Sequence, residues 1–192
     1  MTVYCARHER DNYEDSGWRR LPTHIPSVVF HTRVPVHLSD GSTEYVWKDV
    51  STWDLFAGRK VLVFSLPGAF TPTCSTYQLP DFERLAPDFL NEEGFDAIYC
   101  VSVNDSFVMN KWAKENELEN VEVLPDGSHK FTEAMEMLVD KHNLGFGLRS
   151  WRYACFVENG EITDWFIEEG KEDDCEEDPY HYTSPEFILA SL

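Results

Sequence analysis

Apolar and polar positions alternate in short blocks along the chain, and the blocks predict strands and helices in turn. Residues 28–34 and 44–47 are rich in β-branched and aromatic side chains. They flank the turn signal Ser39-Asp40-Gly41-Ser42, which predicts two short strands. Ser51 is a candidate N-cap for a short helix over residues 52–57, closed by Gly58. Residues 61–66 form a continuous apolar run, the signature of a buried strand, and the run breaks at Pro67-Gly68. The chain turns again at Pro72 and enters a helix with apolar spacing at Tyr77, Leu79, Phe82, Leu85 and Phe89. Pro80 falls inside this helix and predicts a kink. Residues 95–103 are a second buried-strand candidate, Asp105 or Ser106 caps a helix through Trp112 and Ala113, and residues 121–124 are a short strand. Beyond the Asp126-Gly127 turn, Phe131, Met135 and Leu138 give a helical stripe. Residues 152–158 and 161–167 flank Asn159-Gly160, a strong hairpin signal. Ser184-Pro185 then opens a closing helix over 184–192.

This alternation predicts an α/β fold, a mixed β-sheet flanked by helices on both faces. Crossovers supply the parallel pairs and the late hairpin an antiparallel one. In such a sheet active residues lie at the carboxyl ends of strands. Residues 1–24 show no period and read as an N-terminal extension to a single domain over residues 25–192.

Charge and cysteine usage narrow the classes. The formal net charge of −19 argues against nucleic acid or an anionic membrane as partner. Eight carboxylates and one lysine crowd residues 168–178, which read as a solvated surface segment. No run of 18 apolar residues could span a bilayer. The first ten residues lack the apolar stretch of a secretory signal. Five cysteines at 5, 74, 100, 155 and 175 do not make a disulfide framework, so a reducing, cytoplasmic setting is expected.

The junction after residue 66 carries the candidate chemistry. Cys74 sits where a strand and a tight loop meet a helix, and free N–H groups at a helix start favour an anion. Thr71, three residues earlier, can bring its hydroxyl to the sulfur, and Pro67 and Pro72 stiffen the loop. No lysine or arginine lies between Lys60 and Arg84, so any cation must come from elsewhere in the fold; Arg149 and Arg152 are the candidates. The seven histidines show no metal-ligand spacing.

Pro-Gly-Ala-Phe-Thr-Pro-Thr-Cys-Ser over residues 67–75 resembles the active-site motif of peroxiredoxins, specifically the peroxiredoxin-5 (type II) branch. Residues 101–105 (Val-Ser-Val-Asn-Asp) and 145–153 (Gly-Phe-Gly-Leu-Arg-Ser-Trp-Arg-Tyr) resemble two further landmarks of that branch, in the same order. The resemblance implies a thioredoxin-like fold and a thiol-dependent peroxidase that reduces hydrogen peroxide and alkyl hydroperoxides through a sulfenic acid, without metal or flavin. Cys74 matches the peroxidatic cysteine, Thr71 the hydroxyl that bonds peroxide, and Arg152 the arginine that steadies thiolate and peroxide. Pro67 matches the shielding proline, while Gly68, Phe70 and Phe146 fall on the substrate pocket. A homodimer formed through loops around the active site is also implied.

The thiol that resolves the sulfenic acid stays open between three alternatives. Cys100 resembles the second cysteine of plant type II members but falls mid-strand. Cys175 stands near the long spacing of animal peroxiredoxin-5 proteins, among carboxylates that disfavour an anionic sulfur. The third alternative is an external thiol. Some bacterial relatives continue into a glutaredoxin domain with a Cys-Pro-Tyr-Cys motif, which this sequence lacks. Glutathione with glutaredoxin, or thioredoxin, is therefore the expected donor. Cys155 reads as a core residue and Cys5 has no assigned role. The rival reading is a redox sensor whose oxidised Cys74 is read by a protein partner.

Overall fold

The computed structural model describes residues 21–192, so Cys5 and most of the extension expected over residues 1–24 lie outside the described residues. A hairpin of β1 (Val29–His37) and β2 (Thr43–Ser51) comes first, paired in register from Val29 opposite Ser51 to His37 opposite Thr43. Ser51 and Asp54 exchange hydrogen bonds as a capping box and start α1 (Thr52–Phe56). Next comes β3 (Lys60–Leu66), whose odd and even side chains enter opposite cores. Val61 and Val63 face one core; Leu62, Phe64 and Leu66 face the other.

From the loop after β3 the chain enters a long helical segment that is interrupted twice. At Cys74–Gln78 the turn widens and the Leu79 N–H reaches back five residues to the Cys74 carbonyl. Regular α2 (Leu79–Pro87) follows, and a second wide turn over Asp88–Glu92 comes after Pro87. Prolines cannot donate to the helical ladder, so the kink expected at Pro80 takes the form of an expanded turn just upstream. Aromatic packing fixes this segment over the sheet: Phe82 stacks on Phe64 at 3.9 Å and 7°, and Phe89 meets Phe95 edge-on.

The remaining elements alternate as the sequence predicts, with one exception. β4 (Ala97–Ser102) pairs in parallel with β3, and β5 (Val121–Pro125) pairs in parallel with β4. Between them runs α3 (Ser106–Glu115), capped by Asp105. The stripe at Phe131, Met135 and Leu138 predicts a helix through residue 138, but α4 (Lys130–Ala134) stops earlier. Glu136 adopts φ +58°, the Trp151 N–H takes the Met137 carbonyl at 2.7 Å, and Leu138 opens β6 (Leu138–Asp140). That strand pairs antiparallel with β7 (Leu148–Ser150). Cross-strand pairing replaces further helix, and of the three stripe residues Phe131 and Met135 are buried in the core, joined there by Met137 and Val139.

β8 (Tyr153–Glu158) lies antiparallel to β3, and β9 (Glu161–Ile167) is antiparallel to β8. Asn159 and Gly160 join these two strands at φ +48° and +82°, the left-handed pair that a two-residue hairpin requires. The five-stranded sheet therefore runs β5-β4-β3-β8-β9. Residues of α2, α3 and the closing helix α5 (Pro185–Leu189) bury themselves against one face; those of α1 and α4 bury against the other. Residues 23–25 bond to Gly160 and Ile162 beside the hairpin.

The acidic run over residues 168–178 keeps its expected solvated surface, since all its carboxylates but Glu168 are exposed, yet parts of it bond to the domain. Glu168 is buried, and its Oε1 accepts from the N–H groups of His181 and Thr183 and from the Thr183 hydroxyl, at 2.8, 2.9 and 2.8 Å. Asp173 and Asp174 accept from the backbone N–H groups of Asp140 and Asn143. Carboxylates here satisfy backbone donors, so the segment is fastened to the domain.

Candidate active site

The carboxyl ends of β3 and β4 face the start of β8, and the loops at this edge bring the candidate residues together. Pro67, Gly68 and Ala69 leave β3 buried. The Ala69 N–H donates to Asn104 Oδ1 at 3.0 Å, which ties this loop to the one after β4; the Ser102 hydroxyl donates to the same oxygen at 2.7 Å. Phe70 turns the chain at φ +64° and leaves its ring half exposed. The Thr71 hydroxyl donates to the Gly68 carbonyl at 2.7 Å, closing the turn that presents Cys74. The Trp112 indole donates to Ser75 Oγ at 3.0 Å and fastens the next residue to α3.

Cys74 is fully buried, with the guanidinium of Arg152 beside it. Arg152 is only 1% exposed, and its Nη1 donates to Cys74 Sγ at 3.5 Å and to Gln78 Oε1. Its Nη2 donates to Asp178 and its Nε to the Pro179 carbonyl at 2.9 Å. The Tyr180 ring lies 5.7 Å from the guanidinium carbon. Burial pushes the Arg152 pKa down, but the charges of Cys74 and Asp178 outweigh it and hold the pKa above its ordinary value. This is a buried cation beside a buried sulfur, the electrostatic arrangement that nucleophilic thiol chemistry needs.

Arg149 closes the other side of the loop. Its Nε donates to the Phe146 carbonyl at 3.0 Å and its Nη1 to the carbonyls of Val103 and Pro67 at 3.3 and 3.4 Å. The guanidinium carbon lies 5.5 Å from the half-buried Phe146 ring. Burial pushes the Arg149 pKa down, against the attraction of Cys74. A Cβ on Gly68 would stand 3.0 Å from Arg149 Nη1 and 3.3 Å from Thr71 Cγ2, so a side chain here would press on both and they would have to give by a few tenths of an ångström. Of the two arginines left open by the sequence, Arg152 reaches the sulfur and Arg149 braces the loops.

The other cysteines are placed less favourably for a first step. Cys100 is buried mid-strand in β4, in the same apolar cluster as Cys74. Burial, reinforced by the charge of Cys74, pushes its thiol well above the ordinary 9.0. Burial also pushes up Cys155, which packs in the core as expected. Cys175 departs from its expected place in a loose acidic loop: it is 7% exposed in the core on the opposite face of the sheet from Cys74. The Lys141 ammonium donates to its carbonyl at 2.6 Å. All four described cysteines are free.

Sequence reasoning missed Gln78, Asn104, Asp178 and Pro179. Asn104 lies inside a quoted landmark, and Gln78 stands four residues after Cys74, a spacing that puts both on one helical face. No local signal marks Asp178, which sits within a dense run of carboxylates.

Comparison with known proteins identifies the family of this fold. The family model described as Redoxin matches residues 39–182. A peroxiredoxin of Rhizobium etli is 55% identical over 168 residues, covering 88% of this chain and 93% of its own. The hybrid peroxiredoxin hyPrx5 of Haemophilus influenzae is 49% identical over 168 residues, 88% of this chain and 64% of its own. Among solved structures, a Plasmodium falciparum antioxidant protein described as a 1-Cys peroxiredoxin superposes with a TM-score of 0.81 at 36% identity, covering 88% of this chain and 96% of its own. The reduced Prx3 of Vibrio vulnificus in complex with hydrogen peroxide superposes at 0.74 with 34% identity, covering 91% and 99%. With its thioredoxin-like sheet, its cysteine at the helical turn beyond the loop after β3 and relatives of this closeness, including one of the Prx5 type, the chain belongs to the peroxiredoxin family.

Proposed function

We propose that this peroxiredoxin reduces hydrogen peroxide and alkyl hydroperoxides at Cys74 and is recycled by an external thiol. The observation that carries the reading is Arg152 Nη1 at 3.5 Å from Cys74 Sγ inside a buried site. The thiolate sulfur attacks the terminal peroxide oxygen; an S–O bond forms, the O–O bond breaks, and water or an alcohol leaves once its oxygen takes a proton. Sulfur is oxidised by two electrons to a sulfenic acid. Arg152 stabilises the stretched O–O bond, the Thr71 oxygen, whose proton goes to the Gly68 carbonyl, accepts from the peroxide O–H, Pro67 keeps water from the sulfur, and the Gly68 and Cys74 N–H groups line the pocket with Phe70 and Phe146. Because Cys74 is buried, peroxide reaches it only when the wide turn gives way locally, where helical hydrogen bonding is already relaxed.

Recycling by an external thiol is supported by the burial of Cys100 and by the position of Cys175 on the other face of the sheet. The sulfenic acid condenses with the donor thiol, releasing water and leaving a mixed disulfide, which a second thiol reduces. Glutathione with glutaredoxin, or thioredoxin, in a reducing cytoplasm fits this chemistry. Exposed Phe70, Phe107 and Leu148 near the site support a homodimer through these loops.

A coupled assay that follows NADPH consumption with each donor system tests the reading. The wild-type chain turns over many equivalents of peroxide and Cys74→Ser none. Full turnover in Cys74→Ser would refute the assignment, and one stoichiometric oxidation without recycling would favour a redox sensor instead.

A further inference from the structure

The acidic segment that the sequence leaves unassigned reaches the active site. Arg152 has three donor nitrogens, and two of them, Nη2 and Nε, are taken by the carboxylate of the segment's last residue, Asp178, and by the carbonyl of Pro179, which follows it. Only Nη1 is left for Cys74 and Gln78. A guanidinium is planar, so fixing one edge fixes the direction of the remaining N–H groups. We propose that Asp178 is a positioning residue for peroxide reduction: with Pro179 it grips the outer edge of the Arg152 guanidinium and aims Nη1 at the reacting sulfur and oxygen.

Three features make this grip firm. Glu168, at the start of the segment, accepts from His181 and Thr183 beyond Asp178, so the two ends are joined across a buried carboxylate. The Tyr180 hydroxyl donates to Asp81 at 3.2 Å, linking the segment to α2, which follows the Cys74 turn. Asp173 and Asp174 bond to the backbone of residues 140 and 143. Asp178 has a second consequence. When Cys74 becomes a sulfenic acid the anion beside Arg152 is lost, and an almost fully buried cation without a partner is costly. Asp178 keeps that cation paired through the cycle, so the guanidinium stays in place for the next thiolate. Gln78 completes the clamp from the opposite side: its Oε1 accepts from Nη1, and among the described residues its buried Nε2 has no hydrogen-bond partner, so the bond to Arg152 orients this amide.

This inference rests on the peroxidase reading, and its test separates the two. Asp178→Ala removes the carboxylate; Asp178→Asn is nearly isosteric, keeps an acceptor and guards against misfolding; Asp178→Glu restores the charge. Two rates are read on each full-length variant: stopped-flow oxidation of Cys74 by hydrogen peroxide, and alkylation of the same sulfur by iodoacetamide, which involves no O–O bond. Oxidation should slow by about tenfold in Asp178→Ala, and less in Asp178→Asn, as expected when one charge-assisted contact is lost. Alkylation should change by less than about twofold, and Asp178→Glu should recover part of the oxidation rate. Combined with Arg152→Lys, whose ammonium has no fork to aim, Asp178→Ala should add little. Wild-type oxidation rates in both Asp178→Ala and Asp178→Asn would overturn the proposal, as would equal losses in oxidation and alkylation or full multiplication with Arg152→Lys. Failure of the wild-type chain to consume peroxide would instead overturn the peroxidase reading.

Discussion

Replacing Arg152 by methionine removes the guanidinium while keeping much of the side-chain volume, and the structure allows its effect to be worked out. Nη1 is the donor 3.5 Å from Cys74 Sγ, where negative charge shifts toward the peroxide during attack. Loss of one donor aimed at developing charge in a buried site costs about 2.7–4 kcal/mol, or roughly 10²–10³ in rate. Stability should suffer less. Asp178 is partly exposed and can be solvated, while Gln78 Oε1 and the Pro179 carbonyl lose a donor, at about 1–3 kcal/mol for a group left buried. A chain of this size should then melt several degrees lower, since roughly 2–4 °C accompany each kcal/mol. Stopped-flow fluorescence provides the assay, because the Trp112 indole bonds to Ser75 next to the reacting cysteine. The expected result is at least about a hundredfold slower oxidation in Arg152→Met. Arg149→Met, which loses only contacts to loop carbonyls, should be affected less. Oxidation of Arg152→Met within about threefold of wild type, or a larger loss in Arg149→Met, would show that the guanidinium does not act on the transition state.

Two further outcomes probe the scaffold. Phe82 is fully buried and stacked on Phe64, so Phe82→Ala should lower stability by about 3–5 kcal/mol, measured by urea unfolding at constant m; a loss below about 1 kcal/mol would mean that α2 is held by something else. Partial burial pushes the Glu83 carboxyl up, but donors from Val121, Glu119 and Asn120 outweigh it and hold its pKa below the ordinary 4.5. A lowered pKa stabilises the fold above the unfolded value, and that contribution disappears as pH falls through the folded value. The melting temperature of Glu83→Gln should therefore lie below wild type at pH 7, with the gap closing below about pH 4.5. A gap that widens in acid would reverse this sign.

What the sequence makes legible is local. Asn159-Gly160 and the Ser51 cap are turn and cap chemistry decided within four residues and stand as read, and of the two cap candidates Asp105 and Ser106 the structure takes Asp105. Cys74 is legible for the same reason, since strand, proline loop and helix start are adjacent. Choosing between Arg149 and Arg152 is not a local matter, because both approach the site from a different part of the chain. The failure at Leu138 has a plain cause: a helical stripe and a strand facing the same core both bury apolar residues, and cross-strand pairing decides between them. The acidic run is solvated as its charge density predicts; what that density does not reveal is that individual carboxylates also take up backbone N–H groups and one arginine.

Peptide mass spectrometry after one equivalent of hydrogen peroxide, with a sulfenic-acid trap present and no donor thiol, tests most directly whether Cys74 is the reacting sulfur and an outside thiol its reductant. The trap should be found on Cys74, with Cys100, Cys155 and Cys175 still reduced. A trap on another cysteine, or a disulfide from Cys74 to Cys100 or Cys175, would contradict it.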